Sequence, residues 1–159
     1  MTTRIPFREL PDAGLWRRLA AAVYDGLLLL AIWFVTGFVV AIAESAARPP
    51  NASGPIEPLV PPELGPYVTL PLLWLSAALF YGWFWRHGGQ TLGMKTWRLR
   101  LVTADDRPLG WSDCFARCAA GTFSWLLFGA GYLWVLLHGR SWHDLATRTR
   151  VVVLPKEAV

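Results

Sequence analysis

The sequence predicts an all-α membrane protein: two transmembrane helices, a third membrane-inserted helical segment that either re-enters or spans, and a small cytoplasmic β-hairpin-like pairing of residues 97–103 with 148–154. Three observations carry that expectation. Leu19–Ala43 runs for 25 residues with one charged side chain, Asp25, and about 20 apolar residues suffice to cross a bilayer as a helix. Of the 159 residues, 54% are hydrophobic, 16% are charged and ten are tryptophan, a balance shifted away from that of soluble domains. Finally, Trp97-Arg98-Leu99-Arg100-Leu101-Val102 and Arg148-Thr149-Arg150-Val151-Val152 show the short, alternating or β-branched pattern of strands.

The first span covers about residues 17–43. A carboxylate within such a helix costs roughly 2.5–3.5 kcal/mol near its centre, so Asp25 needs a partner or a task. Arg18 lies seven positions earlier, two turns and about 10 Å along the axis, on the same face. The segment is too long for the apolar core of a cleavable signal peptide and contains Asp25, which argues against cleavage despite the Arg17-Arg18 pair. Residues 1–18 carry Arg4, Arg8, Arg17 and Arg18 against Glu9 and Asp12, whereas residues 44–66 carry only Arg48 against Glu44, Glu57 and Glu63. The positive-inside rule then puts the N-terminus in the cytoplasm and the 44–66 loop outside.

That outer loop is rich in proline, which withholds an N–H and fixes φ, so it reads as an extended connector. Its Asn51-Ala52-Ser53 sequon is too short a pattern to carry weight. The second span covers about 67–86, with Pro71 in its first turns and Trp83 and Trp85 at its far end as interfacial aromatics. Residues 87–112 hold more basic than acidic side chains and return to the cytoplasm.

Segment 113–139 is apolar yet contains Arg117, and a single crossing would put the basic tail, 140–159, outside. The charge rule and the expected strand pairing both oppose that. A helical hairpin broken near Gly129-Ala130-Gly131 fits better, its irregular backbone shielded by protein or a wet cavity. A plain third crossing is the competing reading.

Three motifs in order resemble the RDD family of small membrane proteins: Trp16-Arg17-Arg18-Leu19-Ala20-Ala21-Ala22-Val23-Tyr24-Asp25; Gly89-Gln90-Thr91-Leu92-Gly93-Met94-Lys95 with Arg98-Leu99-Arg100-Leu101-Val102; and Trp142-His143-Asp144-Leu145-Ala146-Thr147-Arg148-Thr149-Arg150-Val151-Val152. The resemblance covers about Leu15 to Val153. It implies that Arg18, Asp25 and Asp144 are the signature charged residues, with Arg17, Arg117, Gln90, Thr91, Gly93 and Thr149 in support. Arg148 stands where the family often has glycine, which bears on the turn there. As to function, the resemblance implies only a membrane protein for which transport of unspecified ligands has been suggested.

Two readings of the charges stay open. Asp25 paired with Arg18 and Arg117 makes a structural clamp, satisfying each charge at lower cost than burying it alone. Alternatively Asp25 is a protonation or cation site for transport. Asp144 reads either as a turn or capping residue or as a partner of Arg17 or Arg18. The Gly88–Gly93 stretch lacks the phosphate-loop spacing, shows no following helix with an open N-terminus, and reads as a tight turn.

Cys114 and Cys118, at i and i+4, hold their Cβ atoms about 5–6 Å apart, too far for a disulfide, and read as reduced thiols. With His87, His138 and His143 they show no recognised ligand spacing, so no metal and no cofactor is expected. No nucleophile with a base, metal triad or acid pair is visible, and no enzyme is expected. The expected partners are the lipid bilayer, a second copy of the chain and an unidentified small ligand or ion, but no nucleic acid. The expected location is a cell (inner) membrane of bacterial type, in which the chain is multi-pass.

Overall fold

The computed structural model describes residues 7–47 and 63–155. Most of the proline-rich connector, with its Asn51-Ala52-Ser53 sequon, lies outside the described residues, as do residues 1–6 and 156–159. After a short 3-10 turn at Phe7–Glu9 come α1 (Leu15–Ala47), α2 (Gly65–Gly88), α3 (Leu92–Thr96), β1 (Leu99–Thr103), α4 (Trp111–Leu126), α5 (Ala130–His138), α6 (Trp142–Ala146) and β2 (Thr149–Val153).

Among the described residues two helices are long and apolar enough to cross a bilayer: Leu15–Ala43 of α1, with mean hydropathy 2.5, and Gly65–Gly88, with mean hydropathy 1.4. Their outward positions are large and apolar, Phe34 and Phe38 in α1 and Leu70 and Leu72 in α2 among them, as expected where lipid is the solvent. Because α2 begins at Gly65, Pro71 sits inside the helix and has no N–H to give to the carbonyl of Tyr67.

The third apolar segment breaks into α4 and α5, which meet at 99°. Phe128 and Gly129 both take left-handed backbone, at φ 53° and 76°, and the Gly129 N–H turns back to the carbonyl of Ser124 at 2.9 Å. That local reversal, costly for Phe128 and free for Gly129, produces the bend, and Phe128 stands fully exposed at its apex. The break thus covers residues 127–129 and takes in the first glycine of the Gly129-Ala130-Gly131 stretch that suggested it.

The chain divides into two compact units, Gly26–Ala77 and the residues on either side of it. In Gly26–Ala77, Trp33 donates its indole N–H to Ser76 Oγ at 2.8 Å, and Ser76 donates in turn to the carbonyl of Leu73. A polar pair of this kind holds two apolar helices together where lipid offers no competing partner.

In the other unit β1 and β2 form a two-stranded antiparallel sheet in the register Leu99↔Val153, Leu101↔Val151, Thr103↔Thr149. Alternation gives each strand two working faces. Leu99, Leu101 and Val151 pack against Ala13, Ala21 and Met94, while Val102, Val152 and Leu154 pack under Leu10 and Phe7. Residues 11–13 run beside β2: the Ala13 N–H donates to the carbonyl of Val151 at 2.8 Å, and that of Val153 to Pro11 at 3.0 Å. Asp12 pairs with Arg150 at 2.9 Å.

The two strands belong to one motif used twice, each position recurring fifty residues later. Gly89 and Gly139 have φ 70° and 71°. Thr91 and Ser141 cap α3 and α6 with nearly the same φ and ψ, −78°, 174° and −86°, 164°. Arg98 and Arg148 lead into the strands at φ 54° and 49°. The hydrogen bonds repeat as well: Leu154 N–H donates to Arg98, and Ala104 N–H to Arg148, both at 2.8 Å. Since Leu101 faces Val151 at the centre of the register, a local two-fold axis relates the copies.

Candidate functional site: two buried carboxylates

Both signature aspartates are almost wholly buried, Asp25 at 2% exposure and Asp144 at 1%, but their surroundings differ in kind. Asp25, on α1, accepts a hydrogen bond from Thr91 Oγ at 2.6 Å and another from the Gly93 backbone N–H at 2.9 Å. Thr91 is the N-cap of α3, and its hydroxyl also accepts from the Met94 N–H at 3.1 Å. The carboxylate therefore lies at the N-terminal end of α3, where unpaired N–H groups and the helix dipole favour negative charge. Position 93 must be glycine for this approach: a Cβ there would overlap the carbonyl oxygen of Ala21 and come within 2.9 Å of Asp25 Oδ1.

α3 is the helix that the tight-turn reading of Gly88–Gly93 did not expect. Its N-terminus is occupied by a carboxylate of the chain itself. Gln90 fastens the same turn to β1 by donating to the carbonyl of Leu99 at 2.8 Å.

Asp144 holds the cations. Arg18 donates from Nη1 to Asp144 Oδ2 at 2.5 Å, and Arg117 from Nη2 to Oδ1 at 2.6 Å. The Ser141 N–H donates to Oδ2 at 3.1 Å, so Asp144 also caps α6. Arg117 reaches Thr149 Oγ with Nη1 at 2.5 Å and lies over the Trp85 ring at 5.6 Å. Arg18 Nε donates to the carbonyl of Ala13 at 2.8 Å, tying the cluster to the strand-like 11–13 segment.

Burial works to raise the pKa of Asp144, but Arg117 and Arg18 together overcome it and hold the carboxyl well below its ordinary value. Burial, reinforced by the same two guanidinium groups, pushes the neighbouring His143 down from 6.5 to about 3. His143 is therefore a neutral imidazole packed on the Tyr132 ring.

The structure thus brings Arg18, Arg117, Asp144 and Thr149 together and, apart from them, Asp25, Thr91 and Gly93. It does not pair Asp25 with either arginine. Seven residues place Arg18 and Asp25 on one face of α1, yet two turns of rise keep their side chains from meeting, and Asp144 already engages both guanidiniums. Arg17 is exposed. Among the described residues no three His, Cys, Asp or Glu side chains gather as a metal site. Both cysteines are free thiols.

Ser141 and His143 escaped the reading of the charges, although Ser141-Trp142-His143-Asp144 carries the S-x-x-D signature of a helix start. A family model described as the RDD family matches residues 12–148. No curated protein and no solved structure gives a significant match. The matched span contains Arg18, Asp25, Arg117 and Asp144, and the chain belongs to the RDD family.

Proposed function

We propose that this RDD-family membrane protein moves a proton or small cation, with Asp25 as the site that takes it up. One observation carries the reading: the hydrogen bonds to Asp25 come from a hydroxyl and a backbone N–H, whereas both buried arginines are committed to Asp144. Protonating Asp25, or binding a cation to it, breaks no ion pair. Doing the same to Asp144 would strand two buried guanidiniums, at a cost of about 3–5 kcal/mol. A carboxylate inside an apolar helix without a basic partner is the usual mark of an ion pathway.

In this proposal the basic N-terminal segment and the two-stranded sheet lie in the cytoplasm, the chain resides in a cell membrane, and the bent α4–α5 pair dips in without crossing. With two full spans, a second copy of the chain completes the path. No covalent chemistry is involved.

A second reading has its own support, the glycine-only approach of α3 to α1 at Gly93, which suits a latch that holds the fold. Flux separates the two. Purified protein in proteoliposomes is expected to pass protons or sodium ions, and Asp25→Asn, matched for monodispersity and thermal stability, to lose that flux. If neither protein moves either ion, the transport reading fails for both. If the variant loses its fold instead, the latch reading stands.

A further inference from the structure

The last turn of α2 lines a pocket that contains neither Asp25 nor Asp144. It has a volume of about 330 Å³ and is lined by Trp85, Arg86, His87 and the Gly88-Gly89 backbone on one side, with Arg100 of β1 and Arg107 opposite. Three guanidiniums therefore line one cavity. Their partners leave them usable: Arg86 lies over the Trp111 ring at 5.1 Å and Arg100 over Phe7 at 4.7 Å. A ring engages the face of a guanidinium and leaves its N–H edges free for an oxyanion. Among the described residues neither makes an ion pair. Arg107 is held by Asp113 through two bonds, at 2.7 and 2.8 Å.

Two features oppose an anion. Asp106 contributes a carboxylate to the lining, and α2 presents its carbonyl end, which carries partial negative charge. The balance suits an anion of single charge rather than a polyanion. Placement names the source. The pocket is lined by the last residues of the apolar span Gly65–Gly88, next to the exposed Trp83, and the end of a span is where headgroups lie.

We infer that this pocket binds the phosphodiester headgroup of an anionic lipid. Arg86 and Arg100 supply forked N–H donors to its oxygens, the geometry for which arginine surpasses lysine. Arg107 with Asp113 forms the rim.

The test uses full-length protein in nanodiscs of phosphatidylcholine with and without phosphatidylglycerol. Lipid retention is read by native mass spectrometry and stability by thermal unfolding. Phosphatidylglycerol is expected to be retained by the wild type and held on the order of 25-fold less tightly by Arg86→Gln/Arg100→Gln, about fivefold for each arginine. Arg148→Gln, an exposed arginine outside the pocket, controls for diffuse surface charge. Equal loss in that control, or full retention in the double variant, overturns the proposal. If inorganic phosphate stabilises the delipidated wild type through Arg86 and Arg100 while lipid retention ignores them, the ligand is a soluble phosphate and the lipid source is wrong. Should the double variant not stay monodisperse, Arg86→Gln and Arg100→Gln are tested singly, each expected to hold phosphatidylglycerol about fivefold less tightly, and full retention in both overturns the proposal.

Discussion

Protonating His143 would set a third positive charge beside Arg18 and Arg117, and the fold resists it. Folded His143 titrates at about 3 against an ordinary 6.5, so below pH 6.5 the unfolded chain binds a proton that the folded chain refuses. Stability then falls as pH drops from 6.5 toward 3, by up to about 1.4 kcal/mol per pH unit. Asp144, held below its ordinary 3.8, adds its own loss only below that value. Thermal unfolding in detergent is expected to show falling stability from pH 6.5 to 4.5 in the wild type and a flatter profile in His143→Gln. An unchanged slope in the variant would sink the assignment. At this scale the sequence offered Arg18 as one of two candidate partners of Asp144 without choosing it, and its clamp reading gave Asp25 two arginines that Asp144 holds instead. Arg18 and Asp144 meet across 126 positions, and no local pattern records such a contact.

Among the elements, the contact between α1 and α3 is sensitive to a single methyl group. In Gly93→Ala the new methyl would overlap Ala21 O and crowd Asp25 Oδ1, so α3 must retreat and both hydrogen bonds to Asp25 lengthen. A loss of about 3 kcal/mol is expected, combining overpacking with a weakened buried carboxylate. Gly110→Ala, whose nearest neighbour would lie at an ordinary 3.4 Å, should lose about 1 kcal/mol or less, the cost of alanine at the N-cap of α4. Denaturant unfolding of the two variants checks both. The long helices and the strands were legible because length and alternation are strong signals. α3 and α6 were not, since five residues hold too little of a helical period. The internal repeat hid for a related reason: over 89–104 and 139–154 only Gly89/Gly139, Arg98/Arg148, Arg100/Arg150 and Val102/Val152 are identical, so backbone angles preserve what side chains no longer show. Arg148 adopts the left-handed φ that glycine would take without strain.

For the molecule as a whole, closure depends on contacts between distant parts of the chain. Ala13, Arg18 and Asp12 reach Val151, Asp144 and Arg150, and β1 has β2 as its partner. Deleting the residues after Arg148 would remove β2 and Thr149 together, exposing Leu99 and Leu101 and taking a partner from Arg117. Such a chain is expected to be cut within 99–103 by limited proteolysis under conditions that leave the intact protein whole. Survival of that segment would show that the first copy of the motif folds alone.

The distance between Arg18 and Asp144 also sets a clock. A ribosome adding about 5–20 residues per second makes the aspartate roughly 6–25 s after the arginine it will meet, 126 positions on. Throughout that interval the first helix must be held in the bilayer without its ion pair, its arginine snorkelling toward water at the helix entrance. The charged core is thus a late arrival in a membrane segment that has already committed.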